Sequence, residues 1–215
     1  AIVGNTSDQP NTVWENDGTG IFTERASGLG NGDSRSIALG DLDGDGDLDA
    51  VVANRGQSTV VWENDGSGQF TERDSVLGTA MITSVALGDL DGDGDLDAMV
   101  AESSGPGNTV WTNDGSGNFT RFGSELGGRY STSVALGDID GDGDLDAMFA
   151  NWDDQNTVWK NDGFGNFTEF GSGLGSSYST SVALGDLDGD GDLDVMFANT
   201  VADPNTVWKN DGFGN

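Results

Sequence analysis

The nine residues DLDGDGDLD at 41–49 return at 89–97, at 138–146 as DIDGDGDLD, and at 186–194. The copies stand 48, 49 and 48 residues apart. A fixed period of that length signals a solenoid, a propeller or an array of one small unit. A second motif keeps the same beat downstream. NTVWENDGTG begins at Asn11, STVVWENDGSG at Ser58, NTVWTNDGSG at Asn108, and NTVWKNDGFG at Asn156 and again at Asn205.

The nine-residue stretch has the chemistry of a cation loop. In the first copy Asp41, Asp43, Asp45 and Asp49 occupy positions 1, 3, 5 and 9. Asp47 occupies position 7, where loops of this spacing offer a backbone carbonyl, and Gly46 at position 6 permits the sharp turn. The closing Glu of an EF-hand is missing, since Val52 stands at position 12. No helical pattern flanks the loop. It reads as a shorter loop set between strands. The same places are filled by Asp89, Asp91, Asp93, Asp95 and Asp97 in the second copy. The third has Asp138, Asp140, Asp142, Asp144 and Asp146, and the fourth Asp186, Asp188, Asp190, Asp192 and Asp194. Five carboxylates in nine residues repel one another unless a cation sits among them. Oxygen donors without His or Cys select a hard ion. Magnesium keeps its water and seldom uses all-protein cages, so calcium is expected, about four ions per chain.

Composition agrees. The chain has 215 residues, 38 Asp and Glu against 8 Lys and Arg, and a net charge of −30. Four bound calcium ions would bring this only to about −22. A nucleic-acid surface needs a basic patch, so nucleic acid is not an expected partner. Anionic membranes are disfavoured for the same reason, and no apolar run is long enough for direct membrane insertion. There is no Cys and no His, which removes disulfides and thiol or imidazole catalysis. Calcium loops of extracellular modules bind at roughly 10⁻⁴–10⁻³ M and would stay empty in a cytosol. An extracellular or cell-surface setting is expected.

Four short strands fit one repeat. In the second unit these are strand A at 84–90 (SVALGDL), strand B at 96–101 (LDAMVA), strand C at 108–113 (NTVWTN) and strand D at 118–122 (NFTRF). They are rich in Val, Thr, Phe and Trp and are bounded by Gly, Asn and Asp. Asn-Asp-Gly between C and D is a tight-turn signal. Four antiparallel strands per repeat make a propeller blade. The Trp of strand C and the Phe of strand D recur once per unit and are expected to pack between blades. Ala38, Ala86, Ala135 and Ala183, each followed two residues on by Gly, suit crowding near an axis.

ALGDLDGDGDLDAMVA followed by NTVWTNDGSGNFT resembles the FG-GAP/VCBS repeat, as found in integrin α-chain propellers and bacterial surface proteins. The resemblance covers nearly the whole chain. It implies an all-β, calcium-binding β-propeller with one ion in the A–B loop of each blade. The FG and GAP tags are replaced here by ALG and by VAN or FAN, which favours a bacterial-type repeat. The chain then reads as a single repeat domain, 1–215. Its units are 1–34 (partial), 35–82, 83–131, 132–179 and 180–215 (partial). The inventory is four A, five B, five C and four D strands, or about four to five blades with incomplete terminal ones. Strand exchange, a homo-oligomer or a longer repeat array would complete them.

Units three and four are nearly identical: Tyr130–Asn151 and Tyr178–Asn199 differ only at Ile139/Leu187 and Ala147/Val195. Acidic loops and NDG turns share one face. The B–C loops and D–A connections share the other, and there the units differ. Arg55-Gly56-Gln57, Glu102-Ser103-Ser104-Gly105-Pro106, Trp152-Asp153-Asp154 and Val201-Ala202-Asp203-Pro204 are the variable stretches. Loops on a rigid scaffold commonly carry recognition. Tyr130, Trp152 and Tyr178 stand at the edge of the strand pattern and are candidates to stack on a sugar, with simple packing as the alternative. Catalysis is not expected, because no carboxylate pair is marked out from the rest and no nucleophile has a His or Cys beside it. Two readings follow. One is a calcium-rigidified structural or adhesion module with a protein partner. The other is a propeller lectin with sugar sites between blades.

Overall fold

The computed structural model describes residues 1–6, 9–27, 29–30, 32–78, 81–127, 130–175, 178–200 and 203–214. Val201 and Ala202 of the last variable stretch lie outside these. Five antiparallel sheets follow one another along the chain. The first holds β1 (Ile2–Val3), β2 (Thr12–Asn16) and β3 (Phe22–Ser27). The second holds β4 (Ser34–Gly40), β5 (Asp49–Asn54), β6 (Val60–Asn64) and β7 (Phe70–Val76). The third runs β8 (Ile82–Gly88), β9 (Asp97–Glu102), β10 (Asn108–Asn113) and β11 (Phe119–Leu126). The fourth runs β12 (Ser131–Gly137), β13 (Asp146–Asn151), β14 (Asn156–Asn161) and β15 (Phe167–Leu174). The last has β16 (Ser179–Gly185), β17 (Asp194–Asn199) and β18 (Thr206–Trp208). Each sheet pairs its strands in sequence order, so every blade is a meander. No helix occurs among the described residues, and none is long and apolar enough to cross a membrane.

The middle three sheets are complete four-stranded blades, and the end sheets have three strands each. The A strands β4, β8, β12 and β16 stand side by side. Strand B lies between A and C, with a neighbouring blade against each face. That is why AVVA, AMVA and AMFA are unbroken apolar runs, and why β5, β9 and β13 are buried at every residue. Strand D is the exposed edge, as the burial along β11 shows.

The apolar core is a series of layers between blades. Val51, Ala53 and Val61 of one blade meet Ile82, Val85, Ala98 and Val100 of the next, with Trp111 and Phe119 closing the layer. Met99, Ala101 and Val110 repeat the arrangement against Val134, Ala147 and Phe149, closed by Trp159 and Phe167. Each tryptophan here also satisfies its indole N–H locally, Trp111 on Thr109 Oγ1 at 3.0 Å and Trp159 on Thr157 Oγ1 at 3.2 Å. The repeated aromatics therefore serve packing. The glycine of each A strand has a specific cause. A Cβ at Gly40 would lie 2.5 Å from Leu96, and one at Gly88 2.5 Å from Leu145. The leucine at loop position 8 of the next blade fills the space that a side chain would need.

Strand limits differ from the expected ones in one instructive place. Strand D was expected to stop near Phe122, yet β11 continues to Leu126 through a register shift against β10. Gly123, at φ 67°, takes the positive-φ position of that irregularity, and buried Leu126 then pairs with Asn108.

Candidate metal loops and the cavity on the opposite face

Each acidic loop is folded by its own carboxylates. In the first, Asp41 accepts the Gly44 N–H at 2.8 Å and the Gly46 N–H at 3.0 Å. Gly44 and Gly46 both have positive φ, 76° and 92°, which curls the amides back onto position 1. Asp89, Asp138 and Asp186 repeat the two bonds, within 2.6–3.1 Å. Asp45 accepts the Asp47 N–H at 2.9 Å.

Position 9 latches the loop to its blade. Asp97 is fully buried, and its two oxygens accept the Leu90 N–H at 2.9 Å and the Asn113 N–H at 2.8 Å. Asp49, Asp146 and Asp194 do the same at 2.8–3.0 Å. Position 7 turns away from the others. Asp47, Asp95, Asp144 and Asp192 lie where a Cβ on Gly66, Gly115, Gly163 or Gly212 would fall, beneath the C–D turn of the same blade. This arrangement suits a backbone contribution from position 7.

Sequence reasoning treated Asn113 and its equivalents only as turn residues. Asn113 Nδ2 donates to Leu96 O in its own blade at 3.2 Å and to Leu42 O in the preceding loop at 2.8 Å. Asn161 reaches Leu90 O at 2.8 Å, and Asn210 reaches Ile139 O at 2.6 Å. Consecutive acidic loops are thus tied together across the blades. The repetition of this Asn in every unit was the available signal.

Three carboxylates of each loop converge, with one oxygen from each lying within 4.8 Å of the others. The sets are Asp41, Asp43 and Asp45; Asp89, Asp91 and Asp97; Asp138, Asp140 and Asp146; and Asp186, Asp188 and Asp194. The remaining expected ligands, such as Asp93, Asp142 and Asp190 at position 5, are not in those sets. Asp43 Oδ1 and Asp140 Oδ1 are buried without a hydrogen-bond partner, as an atom reserved for an ion would be. Burial holds the Asp97 carboxyl up at about 6, with the charges of Asp91 and Asp93 adding to the effect. Asp49 and Asp146 are raised by burial in the same way. Protein cations balance part of the charge. Lys160 lies 2.8 Å from Asp140, Lys209 lies 2.6 Å from Asp188, and Arg73 lies 3.2 Å from Asp43. Lys160 and Lys209 each pull their partner's pKa down. In the second loop no Lys or Arg pairs with Asp91 among the described residues, and burial and the charge of Asp93 raise it. Buried carboxylates, orphaned oxygens and an all-oxygen donor set fit a hard divalent cation.

The opposite face carries a cavity of about 300 Å³ at the other end of the A strands. The second residue of each A strand lines it, namely Arg35, Thr83, Thr132 and Thr180. The residue after strand B adds Arg55, Ser103 and Trp152, and Tyr130 closes one side. The Thr83 and Thr132 hydroxyls lie between two carbonyls each, Ser131 O and Ser179 O of the next blade at 2.8 and 2.7 Å and Ala101 O and Ala150 O at 3.1 Å, while Thr180 donates to Ala198 O at 3.2 Å. Each hydroxyl spends its one proton on a carbonyl and keeps its oxygen lone pairs. The rim has one backbone design. Arg55 N–H donates to Asp33 O, Ser103 N–H to Met81 O, Trp152 N–H to Tyr130 O and Thr200 N–H to Tyr178 O, at 2.7–2.9 Å. Trp152 also meets Tyr178 edge-on, with ring centroids 5.0 Å apart. The three expected aromatic residues are therefore neighbours. Asp153 beside them has φ 60°, and it is the one non-glycine residue at positive φ among the described residues. Its charge, and its hydrogen bond with the Tyr178 phenol, raise that phenol's pKa.

Four-stranded meanders ranged A strand by A strand, each opening into an acidic loop, define a β-propeller repeat protein. The family model for FG-GAP-like repeats matches four times, at 1–52, 41–100, 89–149 and 138–197. The chain belongs to the FG-GAP-like repeat family. Among solved structures it is similar to an Agrocybe aegerita lectin that recognises non-reducing terminal N-acetylglucosamine. The TM-score is 0.62 at 18% identity, over 99% of this chain and 60% of that one. It is also similar to BBS1N in its complex with ARL6DN, with TM-score 0.60 and 12% identity over 92% of this chain and 54% of that one. The chain spans less than two thirds of either structure's chain, and at these identities the likeness is one of fold. No curated protein matches.

Proposed function

We propose that the chain is a calcium-stabilised propeller module of a secreted or cell-surface protein. The convergence of three carboxylates within 4.8 Å in all four loops carries this reading. Calcium is the species whose size, oxygen preference and extracellular abundance suit such loops. Its role is structural: each ion neutralises an acidic cluster in a loop whose buried position-9 carboxylate anchors strands B and C. Isothermal titration of demetallated protein tests it. Saturable binding approaching four calcium ions per chain is expected. Absence of saturable binding at millimolar calcium would remove the reading.

A second reading concerns what the module presents, namely glycan recognition on the face away from the loops. Its support is the rim of the cavity, where one backbone hydrogen bond recurs in four units while the side chains change from Arg to Ser to Trp to Thr. Variation at a fixed backbone position is not demanded by the fold. The lectin relative places sugar recognition on a scaffold of this kind. A glycan array probed with calcium and again with EDTA tests it. Calcium-dependent binding to a defined sugar, lost in Trp152→Ala, is expected. No binding in calcium would leave the structural or protein-adhesion role, in which further repeats or a second copy complete the propeller. Neither reading gives the chain a catalytic step.

A further inference from the structure

Resting on the glycan reading, we infer that the cavity between the B–C loops takes a carboxylate-bearing sugar, a uronate residue of an acidic polysaccharide, with Arg55 as the carboxylate partner.

The distribution of positive charge carries the argument. The chain has 8 Lys and Arg among 38 acidic residues. Among the described residues Arg25, Arg35, Arg73, Arg121, Lys160 and Lys209 are each in an ion pair with a carboxylate. Arg55 is the exception, although acids outnumber bases more than fourfold. It lines the cavity beside Arg35, and no Asp or Glu lines that cavity among the described residues. Two of the eight cations thus line a cavity to which no described Asp or Glu contributes. Asp33 holds Arg35 at 2.7 Å, which leaves the Arg55 fork as the uncommitted donor. A guanidinium offers paired N–H groups that match a carboxylate's two oxygens.

The remaining lining fits a pyranose ring. Trp152 and Tyr130 supply aromatic surface on one side, and the threonine oxygens and Ser103 supply hydrogen-bonding groups on another. The volume, about 300 Å³, lies at the lower end of the ~300–1,000 Å³ range of small-molecule sites.

The chain's negative charge does not forbid an anion there. The acidic loops begin at the far end of the A strands, six residues from Arg35, or roughly 20 Å of strand. That is more than two Debye lengths at physiological salt, about 8 Å each. A short-range pair with Arg55 is felt locally, while the loops are screened.

Trimers of galacturonate, glucuronate and mannuronate, each beside its carboxyl-reduced neutral counterpart, are the probes. They are titrated into the calcium-loaded full chain. One acidic trimer should bind about 10- to 100-fold tighter than its neutral counterpart, the span of one charge-assisted hydrogen-bond pair. Arg55→Gln should abolish that difference, Arg55→Lys should restore part of it, and Arg121→Gln should leave it intact. Melts in calcium establish that each variant is folded. Equal binding of acidic and neutral trimers overturns the inference while sparing the glycan reading. An acidic preference that survives Arg55→Gln also overturns it. If no member binds, and the glycan array is blank as well, both fall.

Discussion

The two ends of the A strands share one repeat and have opposite characters. Where β4, β8, β12 and β16 run into the acidic loops, the four units are nearly interchangeable down to their hydrogen bonds. At the other end the backbone pattern is just as regular, but the side chains that it presents are Arg, Ser, Trp and Thr. The first end is acidic, latched by a buried carboxylate at position 9, and cross-linked from blade to blade. The second is open and holds Arg55, the one Lys or Arg without an ion pair among the described residues. A repeat protein keeps constant what every unit needs in order to stack, and it is at liberty to vary what no unit needs. Constancy at the loop face is what the proposed scaffold role requires, and variation at the cavity is what the proposed recognition role requires.

Substitutions should separate the two faces by stability. The largest loss is expected at position 9. Asp146→Ala strands the buried N–H groups of Ile139 and Asn161, which now donate at 2.9 Å. At ~1–3 kcal/mol for each unsatisfied group, the cost is about 2–6 kcal/mol, read from denaturant unfolding in calcium. A loss under 1 kcal/mol would mean that the latch is not structural.

The pH response of demetallated protein comes next. Asp97 in the folded chain keeps its proton up to about pH 6, whereas an unfolded Asp releases it near 3.8. Folding therefore favours the protonated form, and its stability is lost as pH rises through that window. The metal-free chain should melt several degrees higher at pH 5 than at pH 7.5. On the calcium reading the ion would bind the ionised loop, so its stabilising effect should grow over the same interval. A metal-free melt that climbs with pH would contradict the burial argument.

A smaller effect is expected from Asn161→Ala, which removes the bonds to Leu90 O and Leu145 O. A loss of about 1–3 kcal/mol should be accompanied by weaker calcium binding in the preceding blade's loop, since Leu90 belongs to it. If calcium binding there is unchanged, the loops are independent. The smallest stability effect falls on the other face. Trp152→Ala forfeits an edge contact worth about 1 kcal/mol and leaves the backbone bond to Tyr130 in place. Glycan binding, in contrast, should disappear. A large destabilisation would return Trp152 to a packing role.

Much of this was legible in the sequence because the determinants are local. The nine-residue spacing encodes the loop, NDG encodes the C–D turn, and alternation with Val, Thr and Trp encodes the strands. The eighteen described strands reproduce the expected inventory of four A, five B, five C and four D. The role of position 9 was less legible. Its spacing suits a ligand, yet both Asp97 oxygens accept backbone N–H groups, a use of lone pairs that spacing does not reveal. The cavity was hidden for a different reason. Tyr130, Trp152 and Tyr178 stood out one by one, but Arg35 and Arg55 belong to another unit and meet the aromatics only once the blades are ranged around the axis. The pattern break at Arg35, where other units have Thr, was visible but had no partner in sequence.

Thermal unfolding of the whole chain, demetallated and then titrated with calcium or with magnesium, tests the central claim most directly. A site filled to ten times its dissociation constant contributes about 1.4 kcal/mol, so four sites would add roughly 5–6 kcal/mol. The melt should rise steeply with calcium, much less with magnesium, and fall back in EDTA. A melting temperature indifferent to calcium and EDTA would contradict the assignment of the acidic loops as the module's structural centre.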